Sequence, residues 1–148
     1  MKVIDQFLKK ISKIEYYNVI YGMSEAKVVL DFLSDDISAS INEMGIVEAI
    51  GNANLSNDEK RIIKEKLRLS EINTYDDKYN IENYNLNSRE GNYWNIKIEM
   101  LDGSIKNIEG YNKQPEGLVY LNNIQEMIRS NVISQYYTVN SDGRLTLK

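Results

Sequence analysis

The stretch NYWNIKIEMLDGSIKNIEGYNKQPEG, residues 92–117, holds the only tryptophan and the only proline of a chain of 148 residues. Ahead of its Asp-Gly pair, apolar and polar residues alternate. The apolar positions of this alternation are Trp94, Ile96, Ile98 and Met100. A period of two in β-prone residue types is typical of a strand with one buried face. The stretch therefore predicts a strand at the centre of a scaffold.

The Asp102-Gly103 pair predicts how this strand connects to the next one. Asp-Gly favours a two-residue type I′ turn, and the register set by that turn leaves Ile108 on the polar face. An extra residue near Lys106-Asn107 would return Ile108 to a position opposite Ile98. We therefore predict a β-bulge at that point.

Two further loops have the chemistry of β-hairpins. Arg89-Glu90-Gly91 and Ser141-Asp142-Gly143 each fit a three-residue loop that ends in a left-handed glycine. The pairings predicted by these loops are Leu86 with Trp94, Tyr84 with Ile96, Val139 with Leu145 and Tyr137 with Leu147. Each pairing sets apolar against apolar, as a buried sheet face requires.

The segment 1–70 shows apolar spacings of three and four, which are typical of amphipathic helices. Ser56 and Glu59 form a capping-box pattern, so the helix that they open is expected to run to about residue 69. The other predicted helices cover residues 2–15, about 24–33 and about 36–50, and residues 16–22 are β-prone. A last helix is predicted after Pro115-Glu116-Gly117, ending near Asn131.

These elements predict an α+β protein. Its N-terminal half would contain about four helices, followed by an antiparallel β-meander, one helix and a C-terminal β-hairpin. We expect a mostly helical subdomain at 1–70, a linker or loop at 71–78 and a sheet subdomain at 79–148, which together form one compact unit.

Composition excludes several function classes. The chain has no cysteine and no histidine, which removes disulfides, thiolate metal ligands and the commonest catalytic base. The net charge of −4 is spread evenly, so direct nucleic-acid binding is disfavoured. The sequence shows no signal peptide or membrane span, and we expect a cytoplasmic protein without metal or cofactor.

Polar and aromatic residues around the predicted sheet are the candidates for recognition. Asp76 and Asp77 lie among tyrosines in an aperiodic segment, where tyrosine offers contact area at low entropic cost. The polar face and rim of the central strand supply further candidates. The full candidate interaction surface is Tyr75, Asp76, Asp77, Tyr79, Arg89, Tyr93, Lys97 and Tyr111.

Two other arrangements of residues suggest different functions. Arg89 near Tyr93, together with Arg129 on the last helix, would suit a bound nucleotide signal. Asp31 and Asp35 fall one helical turn apart and would suit a carboxylate-bound metal ion. The sequence leaves both alternatives open, the second being the weaker.

The segment 94–124 resembles a pattern in small uncharacterised proteins of low-GC Gram-positive bacteria and their phages and mobile elements. In these proteins W-x-I-x-I, then D-G-S/T, then G-x-N and a proline precede a helix. The resemblance is confined to this segment and implies a strand–turn–strand–helix module without a known catalytic residue. The chain's A/T-rich codon bias, visible in its many Ile, Asn, Lys and Tyr residues, agrees with such an origin.

Together these features predict a non-enzymatic binding protein. We expect a phage- or mobile-element-encoded inhibitor that neutralises a host macromolecule, as an anti-defence or immunity protein would. The partner is expected to be a protein. The alternatives are a nucleotide-binding protein and, less favoured, a carboxylate and metal-dependent enzyme.

Overall fold

The computed structural model describes residues 2–85 and 90–148, and one sheet of seven strands dominates it. The strands are β1 (Ile11–Ile20), β2 (Ser24–Asp31), β3 (Asp36–Glu43), β4 (Val47–Asn52), β5 (Lys78–Tyr79), β6 (Asn92–Met100) and β7 (Ile105–Tyr111). Their order across the sheet is β4-β3-β2-β1-β6-β7-β5. Neighbouring strands are antiparallel, except that β5 runs parallel to β7.

Helices cover one face of this sheet. They are α1 (Val3–Leu8), α2 (Asn57–Ser70) and α3 (Leu118–Tyr136), with short 3₁₀ turns at Ile72–Thr74 and Ile81–Asn83. A second, two-stranded sheet follows α3 and contains β8 (Tyr137–Val139) and β9 (Leu145–Leu147). Within the described ranges, no helix is long and apolar enough to cross a membrane.

The hydrophobic core lies between the sheet and the helices α2 and α3. Tyr16 on β1 pairs with Ile96 on β6, which pairs in turn with Ile108 on β7, and all three are buried. Trp94 is fully buried in the same layer, and its indole N–H donates a hydrogen bond of 3.0 Å to the carbonyl of Lys113. The alternation that predicted the central strand is thus confirmed.

The helical N-terminal half predicted from the sequence is wrong. Only Val3–Leu8 of the first predicted helix is helical, and strands β1 to β4 occupy most of the segment 11–52. Apolar positions in this segment also fit a period of two, as at Ile37, Ala39 and Ile41, which face the core. The long-range pairing decides between the two periods, because the sheet that forms on β6 buries the period-two apolar residues of this segment in the core.

Two local predictions are confirmed. The amide of Glu59 donates to the Ser56 hydroxyl at 3.1 Å, and the amide of Ser56 donates to the Glu59 carboxylate at 3.0 Å, so the capping box opens α2. The C-terminal hairpin has the predicted register, with Val139 opposite Leu145 and Tyr137 opposite Leu147. Its loop closes through the amide of Asn140 and the carbonyl of Arg144, at 2.7 Å.

The bulge predicted near Lys106-Asn107 is wrong. The ladder between β6 and β7 is regular and places Ile108 opposite Ile96. The amide of Met100 donates to the carbonyl of Ser104, which leaves a loop of residues 101–103 with Gly103 at φ +89°. A three-residue loop shifts the register by one position and buries Ile108 without an inserted residue.

The hairpin predicted upstream of β6 also fails. The partners of Ile96 are Tyr16 and Ile108, so Tyr84 does not pair with it. Tyr84 follows a 3₁₀ turn instead, and Leu86 lies outside the described residues.

The last helix, α3, continues beyond Asn131 to Tyr136 because its apolar spacing extends through buried Val132 and Ile133.

One sheet joins the two segments that were expected to be subdomains. β1, which belongs to the segment 1–70, pairs with β6 along almost its whole length, from Ile11 opposite Met100 to Ile20 opposite Asn92. The outer edge of β4 is also held by the other end of the chain. The Tyr136 hydroxyl donates to the carbonyl of Ile50, and the Gln135 amide donates to the carbonyl of Asn52, both at 2.9 Å.

Candidate functional site

The sheet face opposite α2 and α3 carries the polar side chains of the central strands, and we call it the open face. Alternation along β1, β2, β6 and β7 directs the following residues to it: Lys13, Glu15, Tyr17, Val19, Glu25, Lys27, Val29, Asp31, Tyr93, Asn95, Lys97, Glu99, Ile105, Asn107, Glu109 and Tyr111. Its centre is a shallow depression of about 630 Å³ bordered by Tyr17, Tyr93 and Lys97.

Five tyrosines form a connected cluster on the open face. The rings of Tyr17 and Tyr93 lie on adjacent strands, with centroids 6.3 Å apart. Tyr84, from the loop before β6, stacks on Tyr93 at 4.7 Å and contacts Tyr111 at 5.0 Å. Tyr84 also stacks with Tyr21, and their hydroxyls share a hydrogen bond. We call Tyr17, Tyr21, Tyr84, Tyr93 and Tyr111 the tyrosine cluster.

A ladder of ion pairs crosses the open face beside the tyrosine cluster. Lys27 and Lys97 lie 3.5 and 3.9 Å from the carboxylate of Glu15. Lys97 also lies 3.5 Å from Glu99, which pairs with Lys13 at 3.3 Å. The three lysines of β1, β2 and β6 therefore have acidic partners. A fourth lysine of this face, Lys78 on β5, lies opposite Glu109 but beyond ion-pair distance.

Two carboxylates of the open face lie beside tyrosine hydroxyls instead. Tyr93 donates a hydrogen bond of 3.0 Å to Glu109, which lies on β7. Glu25, exposed on β2, lies near Tyr17, and its carboxylate raises the pKa of the Tyr17 hydroxyl. Among the described residues, neither Glu25 nor Glu109 has a lysine or arginine within ion-pair distance.

The hydroxyls of these tyrosines remain protonated over a wide pH range. Burial is the main cause that raises the pKa of Tyr17 and of Tyr93 above its usual value, and the carboxylates of Glu25 and Glu109 raise the pKa further. Burial likewise raises the pKa of Tyr84. The hydroxyls therefore act as hydrogen-bond donors at neutral pH.

A second, apolar region adjoins the open face where the hairpin turns of the sheet meet. Ile20, Met23 and Met44 are exposed there, to 40%, 62% and 70%. They border a depression of about 640 Å³ that also includes Tyr17 and Glu25. Tyr17 thus lies where the polar depression and the apolar turns join.

The predicted site residues fall into separate places. Tyr93 and Lys97 lie on the open face, and Tyr111 lies beneath Tyr84 and is buried. Tyr75 is also buried, in the core. Tyr79 packs on Trp94 with ring centroids 5.7 Å apart. Asp76 and Asp77 are exposed beside β5, and Arg89 lies outside the described residues.

Sequence reasoning missed Tyr17, Tyr21, Glu25 and Glu109 as parts of this surface. For Tyr17, a signal was present in ISKIEYYNVI, where Ile14 and Tyr16 alternate with Glu15 and Tyr17. The same residues also fit the apolar spacing of a helix, so the alternation was not recognised as a strand. Glu25 was assigned to a helix, and only the pairing of β1 with β2 brings it close to Tyr17.

The described residues proposed for a nucleotide site lie on opposite faces of the sheet, and those proposed for a metal site are bonded to other groups of the protein. Arg129 pairs with Glu43 on the helix-covered side, whereas Tyr93 lies on the opposite face. Asp31 accepts hydrogen bonds from the backbone of the turn after β2, and Asp35 pairs with Lys60 at 2.8 Å. No group of three or more acidic side chains that could hold a metal ion is found in the described part of the chain.

Comparison with known proteins finds no relative of this chain. No family model, curated protein or solved structure matches the chain.

Proposed function

We propose that the protein acts by binding and that the open face, centred on Tyr17 and Tyr93, covers a protein partner. In this proposal the protein is an inhibitor that neutralises the partner by occupying its surface. The observation that carries the proposal is the pair of partly exposed tyrosine rings, held 6.3 Å apart on adjacent strands in a face that α2 and α3 do not cover.

The residue types on the open face favour protein recognition. Tyrosine supplies a large contact area with few rotatable bonds, and asparagine supplies adaptable hydrogen bonds, as in antibody binding loops. Asn95 and Asn107 adjoin Tyr93 in the central depression. Both tyrosines project from regular strands, so little conformational freedom is lost when a partner binds.

The size of the face also suits a protein partner. With β3 and β4 included, the surface covers six strands, β4 through β7 in sheet order. At about 4.8 Å between strands and roughly eight residues a strand, it measures on the order of 600 Å². A standard interface buries about 800 Å² on each partner, so this surface is close to that size.

Site-specific photocrosslinking tests the proposal. Benzoylphenylalanine replaces Tyr17 in one variant and Tyr120, on α3, in a matched control. Each protein is irradiated in a lysate of a low-GC Gram-positive bacterium. We expect a discrete crosslinked protein from position 17 that excess unlabelled wild-type protein displaces, and no such product from position 120. Equal products from both positions, or none from position 17, would refute the open face as the interface.

A further inference from the structure

We propose that the partner presents arginine or lysine side chains to the Tyr17–Tyr93 pair, one with Glu25 and another with Glu109 as its counter-ion. This inference rests on the proposed function, because it names the chemistry that the open face recognises. It commits to a cationic protein segment as the occupant.

The charges of the open face support a cationic occupant. Strands β1, β2, β5, β6 and β7 direct four lysines and five carboxylates to this face. Three of the lysines pair with Glu15 and Glu99, and the fourth, Lys78, lies opposite Glu109 beyond ion-pair distance. The surplus is negative, and it would repel a phosphate-bearing or acidic partner.

The negative charges without an ion pair lie beside Tyr17 and Tyr93. Asp31, the remaining acidic residue, accepts hydrogen bonds from the amides of Leu33 and Ser34 at 3.0 and 3.2 Å. Its carboxylate is therefore engaged in the turn. Glu25 and Glu109 have no ion pair among the described residues. Glu109 accepts a hydrogen bond from Tyr93, and Glu25 lies near Tyr17, where its carboxylate raises the pKa of the hydroxyl.

The geometry at Glu109 leaves an acceptor for a partner. Tyr93 donates to Oε2 of the carboxylate, and a carboxylate has lone pairs on both oxygens for further donors. Tyr84 stacks on one face of the Tyr93 ring, so a guanidinium would lie against the part of the ring that Tyr84 leaves uncovered and could donate to Oε1. The aromatic face attracts the cation through its quadrupole, and the carboxylate adds a charge-assisted hydrogen bond. Arginine suits this arrangement better than lysine because its planar group stacks and donates at once.

Apolar side chains beside Tyr17 complete the surface. Met23 and Met44 are exposed next to Tyr17 and Glu25, and methionine adapts to irregular apolar partners. A segment in which cationic and apolar residues alternate would therefore fill both depressions. Such a segment defines the probe.

Binding of two defined peptides tests the inference. The first is an acetylated and amidated hexapeptide of alternating arginine and leucine. The second carries citrulline in place of arginine, which keeps the shape and removes the charge. Each is titrated into the ¹⁵N-labelled protein while the amide signals of Tyr17, Glu25, Tyr93 and Glu109 are followed.

We expect the arginine peptide to shift these signals and to bind about tenfold more tightly than the citrulline peptide, since it gains cation–π contacts and exposed ion pairs. The double variant Glu25→Gln, Glu109→Gln keeps a side-chain oxygen beside each tyrosine hydroxyl and removes only the charges. It should abolish the preference for arginine. Glu116→Gln, which removes an exposed charge outside the open face, should leave it intact.

Three outcomes would overturn the inference. They are equal affinity for the two peptides, an unchanged preference for arginine in the double variant, and no shift of the amide signals at about 5 mM peptide. The last would mean a Kd too weak for a specific site. Crosslinking at position 17 separates its failure from that of the proposed function. If the crosslink persists in the double Gln variant with undiminished yield, the open face is an interface but the partner is not bound through a cation. If position 17 gives no crosslink even with Glu25 and Glu109 intact, both proposals fall.

Discussion

The hydroxyl of Tyr137 binds both backbone groups of Glu48, accepting a hydrogen bond from the amide and donating one to the carbonyl, each at 3.2 Å. Glu48 lies on β4, an edge strand of the sheet. Exposed edges present unpaired amides and carbonyls that promote pairing with another chain. Tyr137, together with Tyr136 at Ile50, therefore closes an edge that would otherwise be open to association.

Removal of these hydroxyls should free the edge of β4. We expect the double variant Tyr136→Phe, Tyr137→Phe to lose about 1.5–4.5 kcal/mol of unfolding free energy, since it removes three hydrogen bonds and each contributes roughly 0.5–1.5 kcal/mol. Amide exchange at Glu48 should accelerate, and light scattering should detect association at high protein concentration. Tyr120→Phe, on α3, is the control. An edge that exchanges at the wild-type rate would contradict this role.

The contact between Gly110 and Trp94 should tolerate no added methyl group. The two residues are opposite each other on β7 and β6, and a Cβ on Gly110 would lie 2.5 Å from Cζ2 and Nε1 of the indole. We expect Gly110→Ala to cost about 1–3 kcal/mol through overpacking. Urea unfolding followed by Trp94 fluorescence measures the loss.

Asn107→Ala, at an exposed position of the same strand, provides the reference for Gly110→Ala. Its effect should stay within about 0.5 kcal/mol. If both variants unfold at the same urea concentration as wild type, the indole can move aside and the contact is not a constraint.

The ion pair between Asp5 and Arg68 should give stability that depends on pH. A hydrogen bond from Arg68 is the main cause that holds the pKa of Asp5 below its ordinary value of 3.8. Since the folded pKa is the lower one, the contribution is present above pH 3.8 and is lost as the pH falls through the folded pKa. Asp5→Asn should therefore lower stability at pH 7 and lower it less at about pH 2.

Denaturant unfolding at both pH values measures this effect, with Asp76→Asn as the control, because Asp76 is exposed and has no cationic partner among the described residues. A loss of stability in Asp5→Asn that is the same at pH 7 and pH 2 would show that the side chain acts by packing and not by charge.

The titration of Tyr93 should report its contact with Glu109. Burial raises the pKa of Tyr93, and the nearby carboxylate raises it further. We expect Glu109→Gln to lower this pKa while leaving it above its ordinary value, because burial persists. A raised folded pKa also means that the contribution of Tyr93 to stability is present below pH 10 and is lost as the pH rises through the folded pKa.

The ¹³Cζ chemical shift of Tyr93, followed by NMR from neutral to alkaline pH, measures the change. Glu116→Gln should leave the titration of Tyr93 unaltered. A Tyr93 curve that is identical in wild type and Glu109→Gln would mean that the hydrogen bond does not form in solution.

Local chemistry made some elements predictable. The capping box of Ser56 and Glu59, the alternation around Trp94 and the loop ending in Gly143 each depend on residues a few positions apart. The α2 helix, the strand β6 and the C-terminal hairpin were therefore correctly predicted, and the pairing of Tyr137 with Leu147 followed from loop length alone. The candidate site was predictable in part, through Tyr93 and Lys97 on the polar side of β6.

Other features required the tertiary structure. The segment 11–52 has apolar spacings compatible with helix and strand, and pairing of β1 with β6, which lies far along the chain, selects the strand. That same pairing sets Tyr17 beside Tyr93, and pairing with β2 brings Glu25 to Tyr17. By itself the sequence determined the elements whose signals are local. The tertiary structure alone decided the open face, because hydrogen bonds between distant strands determine which side chains are neighbours.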